Sequence, residues 1–179
     1  VINREPQKRI TRYAAGIMGG TGFAVFFGCN VRDAIVALIV SVMIVAVGDW
    51  LAKRESNLMV YNAILSFISE VIIIVALKMG VADHPDRIMI GIVMLLISGL
   101  GTTNGIRDLL QRDFISGFIN IMNSFLGAAG IAFGIGLAIM LFHEGYSDHF
   151  ILNHSVPIQL ISCTVACTGF AFWFKIRGK

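Results

Sequence analysis

Six apolar runs organise this chain, at about Tyr13–Gly28, Ala34–Leu51, Leu58–Met79, Ile88–Gly99, Phe114–Phe142 and Ile158–Phe174. A helix needs roughly 20 apolar residues to cross the hydrocarbon of a bilayer. The fourth run has only 12 residues, and the others are near or above the crossing length. Composition agrees: 56% of the 179 residues are hydrophobic and 14% are charged, with a mean hydropathy of +0.81. A soluble domain keeps about a quarter of its residues charged. The pattern predicts an all-α, polytopic transmembrane helical bundle of about six membrane segments, one of them interrupted near residues 98–105.

The charges orient that bundle. With both termini on one side, Arg4, Lys8, Arg9, Arg12, Lys53, Arg54, Arg107, Arg112, Lys175, Arg177 and Lys179 share that side, and only Arg32, Lys78 and Arg87 fall on the other. The positive-inside rule places the first group in the cytoplasm. The expected protein is integral to the plasma (inner) membrane with both termini cytoplasmic. Its parts are a cytoplasmic linker (1–12), a five-helix membrane domain (13–142) with a cytoplasmic motif (98–113), an extracytoplasmic loop (143–157), and a sixth helix with a basic tail (158–179). The net charge of +3 follows from this asymmetry and gives no reason to expect nucleic acid. The chain opens on Val1 rather than Met and is expected to be a piece of a longer protein.

The stretch Met94–Gly117, MLLISGLGTTNGIRDLLQRDFISG, lies between two apolar runs and is polar and glycine-broken. Irregular backbone at membrane depth is tolerated where protein or a water-filled cavity satisfies it, and broken helices hold solutes in many transporters. The alternative is a short amphipathic helix at the interface. Thr103, Asn104, Arg107 and Asp108 are its candidate solute-binding residues. Arg107 has a planar fork suited to a carboxylate, although an interfacial cation would follow the charge rule equally well. Arg107 and Asp108 are adjacent, so on a helix they point about 100° apart and need not pair.

Glu70 stands near the middle of the third run. A carboxylate at mid-bilayer costs roughly 2.5–3.5 kcal/mol on insertion scales and so faces a bundle interior or a wet cavity. Asn62, Ser66, Ser69 and Glu70 follow the spacing of one helix face. That face reads either as hydrogen-bonding glue between helices or as a solute or proton pathway. In the fifth run Ser116, Asn120 and Ser124 repeat at intervals of four, with Asn123 beside them. Gly127, Gly130, Gly134 and Gly136 follow. The polar half of this helix is a candidate to face the Glu70 stripe. In the first run Gly16 and Gly20 form a small-xxx-small pair suited to close helix approach.

Other features carry less. His143, His149 and His154 have no compact metal-ligand spacing, and Cys163 and Cys167 read as small hydrophobes. No phosphate-binding glycine loop, nucleophile elbow or HExxH is present. The chain is expected not to be an enzyme and to need no metal or cofactor.

The run LLISGLGTTNGIRDLLQRDFISG resembles the hallmark of the threonine/serine exporter family. There a transmembrane helix ending in Pro-Gly is followed by an Asn-x-Ile-Arg-Asp segment, an Asp and a Ser-Gly. Gly99, Asn104, Ile106, Arg107, Asp108, Asp113 and Gly117 match, while Ser98 stands in place of the proline. Phe26-Phe27-Gly28 and Ser56-Asn57 also look like family positions, and the likeness covers about residues 8–142. The resemblance implies a secondary transporter, or its N-terminal half, exporting threonine or serine by antiport with the proton gradient. Dicarboxylates are the substrates of related carriers. It also implies an upstream soluble domain and a companion five-helix half, fused or separate, inverted relative to this one. The sixth run looks like the opening helix of that half.

On this reading Glu70 is the proton-coupling or amine-recognising group. Asn62, Ser66, Ser69, Asn120 and Ser124 line the path, and the 102–108 segment binds or gates at the cytoplasmic side. The expected partners are the lipid bilayer, a small polar solute, protons and the companion half, with a homo-oligomer as a further arrangement. A membrane scaffold subunit that transports nothing is the contrasting expectation.

Overall fold

The computed structural model describes residues 9–51, 54, 57–97, 99–142 and 156–173. Among the described residues seven helices form: α1 (Arg9–Phe26), α2 (Val31–Leu51), α3 (Leu58–Lys78), α4 (Pro85–Leu96), α5 (Gly99–Leu110), α6 (Phe114–Phe142) and α7 (Val156–Trp173). No strand occurs among the described residues. The His143–His149–His154 loop, the KIRGK tail, residues 1–8, Lys53, Ser56 and Ser98 lie outside the described residues.

Local chemistry sets the helix ends. Gly28 (φ 93°) ends α1 and Gly80 (φ 70°) ends α3, each in the left-handed region that glycine enters without a Cβ clash. Around each, two backbone donors turn back onto the last turn: Gly28 N to Val25 O and Cys29 N to Ala24 O, and Gly80 N to Leu77 O and Val81 N to Ala76 O. This is the Schellman closure that satisfies orphan carbonyls. The α5–α6 turn uses the same pair of bonds, Arg112 N to Leu109 O and Asp113 N to Asp108 O, but the left-handed residue is Arg112 at φ 66°. Asn57 caps α3 by accepting from Met59 N, Pro85 opens α4, and Asp113 caps α6 by accepting from Ser116 N.

α2, α3 and α6 are each long and apolar enough to cross a membrane, whereas Tyr13–Phe26 and Pro157–Gly169 are shorter apolar helices. α4 and α5 qualify together as one span bent by 46°. The interruption is narrower than the sequence suggested. α4 stops where Ile97 takes extended backbone (φ −65°, ψ 121°), and α5 then runs as unbroken helix from Gly99. Residues 100–105 are therefore helical, and their polar side chains decorate a helix surface instead of freeing the backbone.

The core lies among the first four helices, with Ala24, Val36, Val40, Ile44, Leu65, Ile73, Ile88 and Ile92 all buried. Gly91 of α4 sits directly on α1: a methyl there would lie 2.7 Å from Ala24 N. The rest is added at the flanks, α7 on α1, α6 on α3, and α5 on α6. α3 and α6 run in the same direction, because Asn62 meets Gly127, Ala63 and Ser66 meet Gly134, and Lys78 reaches the Phe142 ring at 5.8 Å. Two parallel helices joined by α4 and α5 require that pair to return the chain from one end of the bundle to the other.

Candidate functional site

The polar face of α3 is closed off from solvent by the bundle. Asn62, Ser66, Ser69 and Glu70 are 4%, 1%, 3% and 1% exposed. Asn62 Nδ2 donates to Gly127 O of α6 at 3.2 Å, an approach that Gly127 permits by having no side chain. Ser66 Oγ donates to Ala63 O at 3.1 Å and Ser69 Oγ to Leu65 O at 2.7 Å. Both serine protons are thus spent on their own helix, so the hydroxyl oxygens remain as acceptors on the face. Ser41 of α2, also fully buried, bonds back to Ala37 O in the same way.

A second polar grouping joins α5 to α6. Asp108 Oδ2 accepts from Asn120 Nδ2 at 2.9 Å and from Ser116 Oγ at 3.3 Å. Ser124 Oγ donates to Asn120 O at 3.0 Å. The helices touch backbone to backbone one turn away: a methyl on Gly105 would lie 2.9 Å from Gly117 O, and one on Gly117 would lie 2.8 Å from Gly105 O. The glycines and Asp108 of the central motif therefore build a hairpin. Thr103, Asn104 and Arg107 lie on the exposed side of α5. Arg107 and Asp108 point apart, as their adjacency required.

The candidate residues thus fall into three places: the buried α3 face, the α5–α6 hairpin and the exposed side of α5. The polar half of α6 does not meet the Glu70 stripe in this structure. Ser116 and Asn120 are taken up by Asp108, and α3 meets α6 further along, at Gly127, Gly130 and Gly134. Asn120 and Gly127 are two helical turns apart, about 10 Å. Among the described residues no cluster of three or more His, Cys, Asp or Glu is arranged to hold a metal. A cavity of about 350 Å³ between α1 and α7 is lined by apolar side chains with Thr21 and Ser162. It contains none of the candidate residues.

Sequence reading missed one polar cluster altogether. Asp33, near the start of α2, is completely buried. Its carboxylate accepts from Asn30 N at 3.2 Å, Asp83 N at 2.8 Å and His84 N at 3.2 Å, and His84 Nδ1 lies 3.4 Å from it. Arg87, itself buried, donates from Nη1 to Gly28 O. Together they stitch the α1–α2 turn to the α3–α4 turn. Burial, and then the negative charge of Asp33, push the Cys29 thiol in this cluster up to about 12. The available signal was Asp33 three residues after Asn30, the spacing at which an N3 carboxylate reaches back to the N-cap N–H.

Residues 1–142 match the family described as putative threonine/serine exporter. The chain belongs to that family. The threonine/serine exporter of Corynebacterium glutamicum is 25% identical over 129 residues, which cover 70% of this chain and 26% of that protein. The chain thus spans about a quarter of the length of this curated relative. No solved structure matches the chain. Family membership and the apolar helices together make this an integral membrane protein. The match takes in α1 to α6 and all the candidate residues, while α7 lies beyond it.

Proposed function

We propose that the chain is a membrane half of a secondary transporter that exports threonine or serine in exchange for protons. The observation that carries this reading is Glu70, a carboxylate 1% exposed on a buried polar face of α3, in a chain whose family is named for such export. Burying a carboxylate at that depth is costly unless it serves a pathway or a strong partner. Glu70 takes up and releases the coupling proton or receives the substrate amine. The acceptor oxygens of Ser66 and Ser69 line the same face. Arg107, with Thr103 and Asn104, meets the substrate carboxylate at the cytoplasmic mouth, an orientation that the charge asymmetry of the sequence supports. Asp108, Asn120 and Ser124 hold that mouth in shape. Transport proceeds by alternating access, substrate and proton shifting the populations of inward and outward forms.

Counterflow of labelled serine and threonine in proteoliposomes tests the reading. Glu70→Gln should lower exchange at least about tenfold and flatten its pH dependence. Intact flux with an unchanged pH profile would remove Glu70 from the mechanism, and counterflow of dicarboxylates alone would move the substrate assignment to that class.

A second reading, a scaffold subunit without transport, draws support from Asn62, whose amide is spent on the α6 backbone. Glu70→Gln would then reduce recovery of the assembled complex in detergent without a selective effect on flux.

A further inference from the structure

The end of α1 recurs in α7. Thr21-Gly22-Phe23-Ala24 and Phe27 return as Thr168-Gly169-Phe170-Ala171 and Phe174, each 147 positions on. The repeat has a structural counterpart, because the two helices cross each other through matching positions. A methyl on Gly22 would lie 2.9 Å from Ala166, and one on Gly169 would lie 2.8 Å from Gly19 N. Under the 147-residue offset Gly169 corresponds to Gly22 and Ala166 to Gly19, so each contact is the mirror of the other. Reciprocal contacts of this kind define a two-fold relation. Because the higher-numbered residue on one helix meets the lower-numbered one on the other, the helices are antiparallel and the axis lies across them.

Burial follows the same register. Ala15, Gly19 and Gly22 are buried on α1, and their counterparts Ser162, Ala166 and Gly169 are buried on α7. The helices differ on the adjacent face. Gly16 and Gly20 are buried on α1, where Gly20 abuts Ser41 of α2 and Leu95 of α4. Their counterparts Cys163 and Cys167 are half-buried and exposed. α1 carries three neighbours, α2, α4 and α7, whereas α7 makes its substantial contacts with α1.

We infer that α7 is the first helix of a second, inverted half, and that its Cys163–Cys167 face receives the two helices of that half that correspond to α2 and α4. The occupant is a half of the same design because α7 repeats the Thr-Gly-Phe-Ala end of α1, whose Ala24 meets Gly91 of α4, and crosses α1 about a shared two-fold axis. The C. glutamicum relative, about four times the matched length, has ample chain for such a half. This deepens the transporter reading and rests on it for the companion half. It fixes where that half attaches: around an axis between residues 20 and 21 of α1 and 167 and 168 of α7.

The test places a benzophenone amino acid at position 167, and separately at 161, in the protein expressed in its native membrane. Position 161 corresponds to Ala14, which is exposed on α1 even with all its neighbours in place. After illumination, position 167 should give adducts whose peptides come from two apolar helices outside residues 1–179, and position 161 should not. A mass shift on a denaturing gel then shows whether that half is a separate subunit; a contact within one polypeptide gives no shift. Cys167→Trp should reduce recovery of the two-half complex by roughly tenfold, as overpacking a close crossing does, while Ile161→Trp leaves it unchanged. Adducts at 167 only to lipid, or only to residues of a second copy of this chain, would overturn the inference. Counterflow on the same membranes separates the two readings. Exchange without the 167 adduct sinks the docking surface and spares transport, whereas the adduct without exchange does the reverse.

Discussion

Asp33 shows how one side chain holds two turns together. A fully buried carboxylate that accepts three backbone N–H bonds leaves those donors stranded when it is removed. Such a loss costs about 1–3 kcal/mol for each group that water cannot reach. The three bonds are only part-buried, so water recovers some of the stranded donors and Asp33→Ala should lower stability in detergent by about 2–4 kcal/mol, read from thermal or denaturant unfolding. Asp33→Asn, which keeps the volume and one acceptor, should lose less; equal losses would mean that the retained acceptor and volume count for nothing and that the carboxylate's charge carries the effect. Cys29 adds a pH signature. Its thiol is raised to about 12 in the folded protein, against about 8.5 for an ordinary thiol. Below about pH 8.5 both states hold the proton and the group is neutral towards stability. Above it the unfolded state ionises first, so stability falls as pH rises towards the folded value. Cys29 should resist maleimide at pH 9 until the protein is unfolded, and Cys29→Ser should remove part of the alkaline destabilisation.

At the scale of elements, the α5–α6 hairpin depends on a backbone approach. Gly105 and Gly117 each lie against the other's carbonyl oxygen, and neighbouring Ile121 and Leu109 fill the remaining space. Gly105→Leu should separate the helices, a change worth about 1–3 kcal/mol in overpacking. Asp108→Ala, which removes only the bonds from Ser116 and Asn120, should cost about 1–2 kcal/mol. Proteolysis at the 111–113 turn would report both, and equal protection of Gly105→Leu and the parent protein would disprove the close crossing. This hairpin also explains the sequence motif. Its glycines read as a break that frees the backbone when taken as a string, because spacing alone cannot distinguish such a glycine from one that admits a neighbouring helix. The α3 face was easier to read, since Asn62, Ser66, Ser69 and Glu70 share one side of a helix wherever that helix packs.

For the whole molecule, the parallel course of α3 and α6 has α4 and α5 carry the chain from one end of the bundle to the other, which predicts a single bent span. In a protein freed of its native cysteines, Asp83→Cys should react with an impermeant maleimide from outside the cell. Gln111→Cys should react only after permeabilisation. Reaction of both from one side would show that α4 and α5 form a re-entrant loop and would invert the assignment of everything after Gly80.

The sequence by itself determined that this is a helical membrane protein, roughly where its apolar segments lie, and which carboxylate is buried in the middle of one. Those properties follow from run length, from the cost of charge in lipid and from the 3.6-residue period, all of which act within a single helix. Tertiary structure decided what depends on two helices at once. It spends the Ser116–Asn120 row on Asp108 instead of the Glu70 stripe, ties Asp33 to a turn fifty residues away, and makes Gly22 and Gly169 opposite sides of one crossing. Close packing selects such pairs by shape, and the shape of an interface is a property of both partners that neither stretch of sequence carries alone.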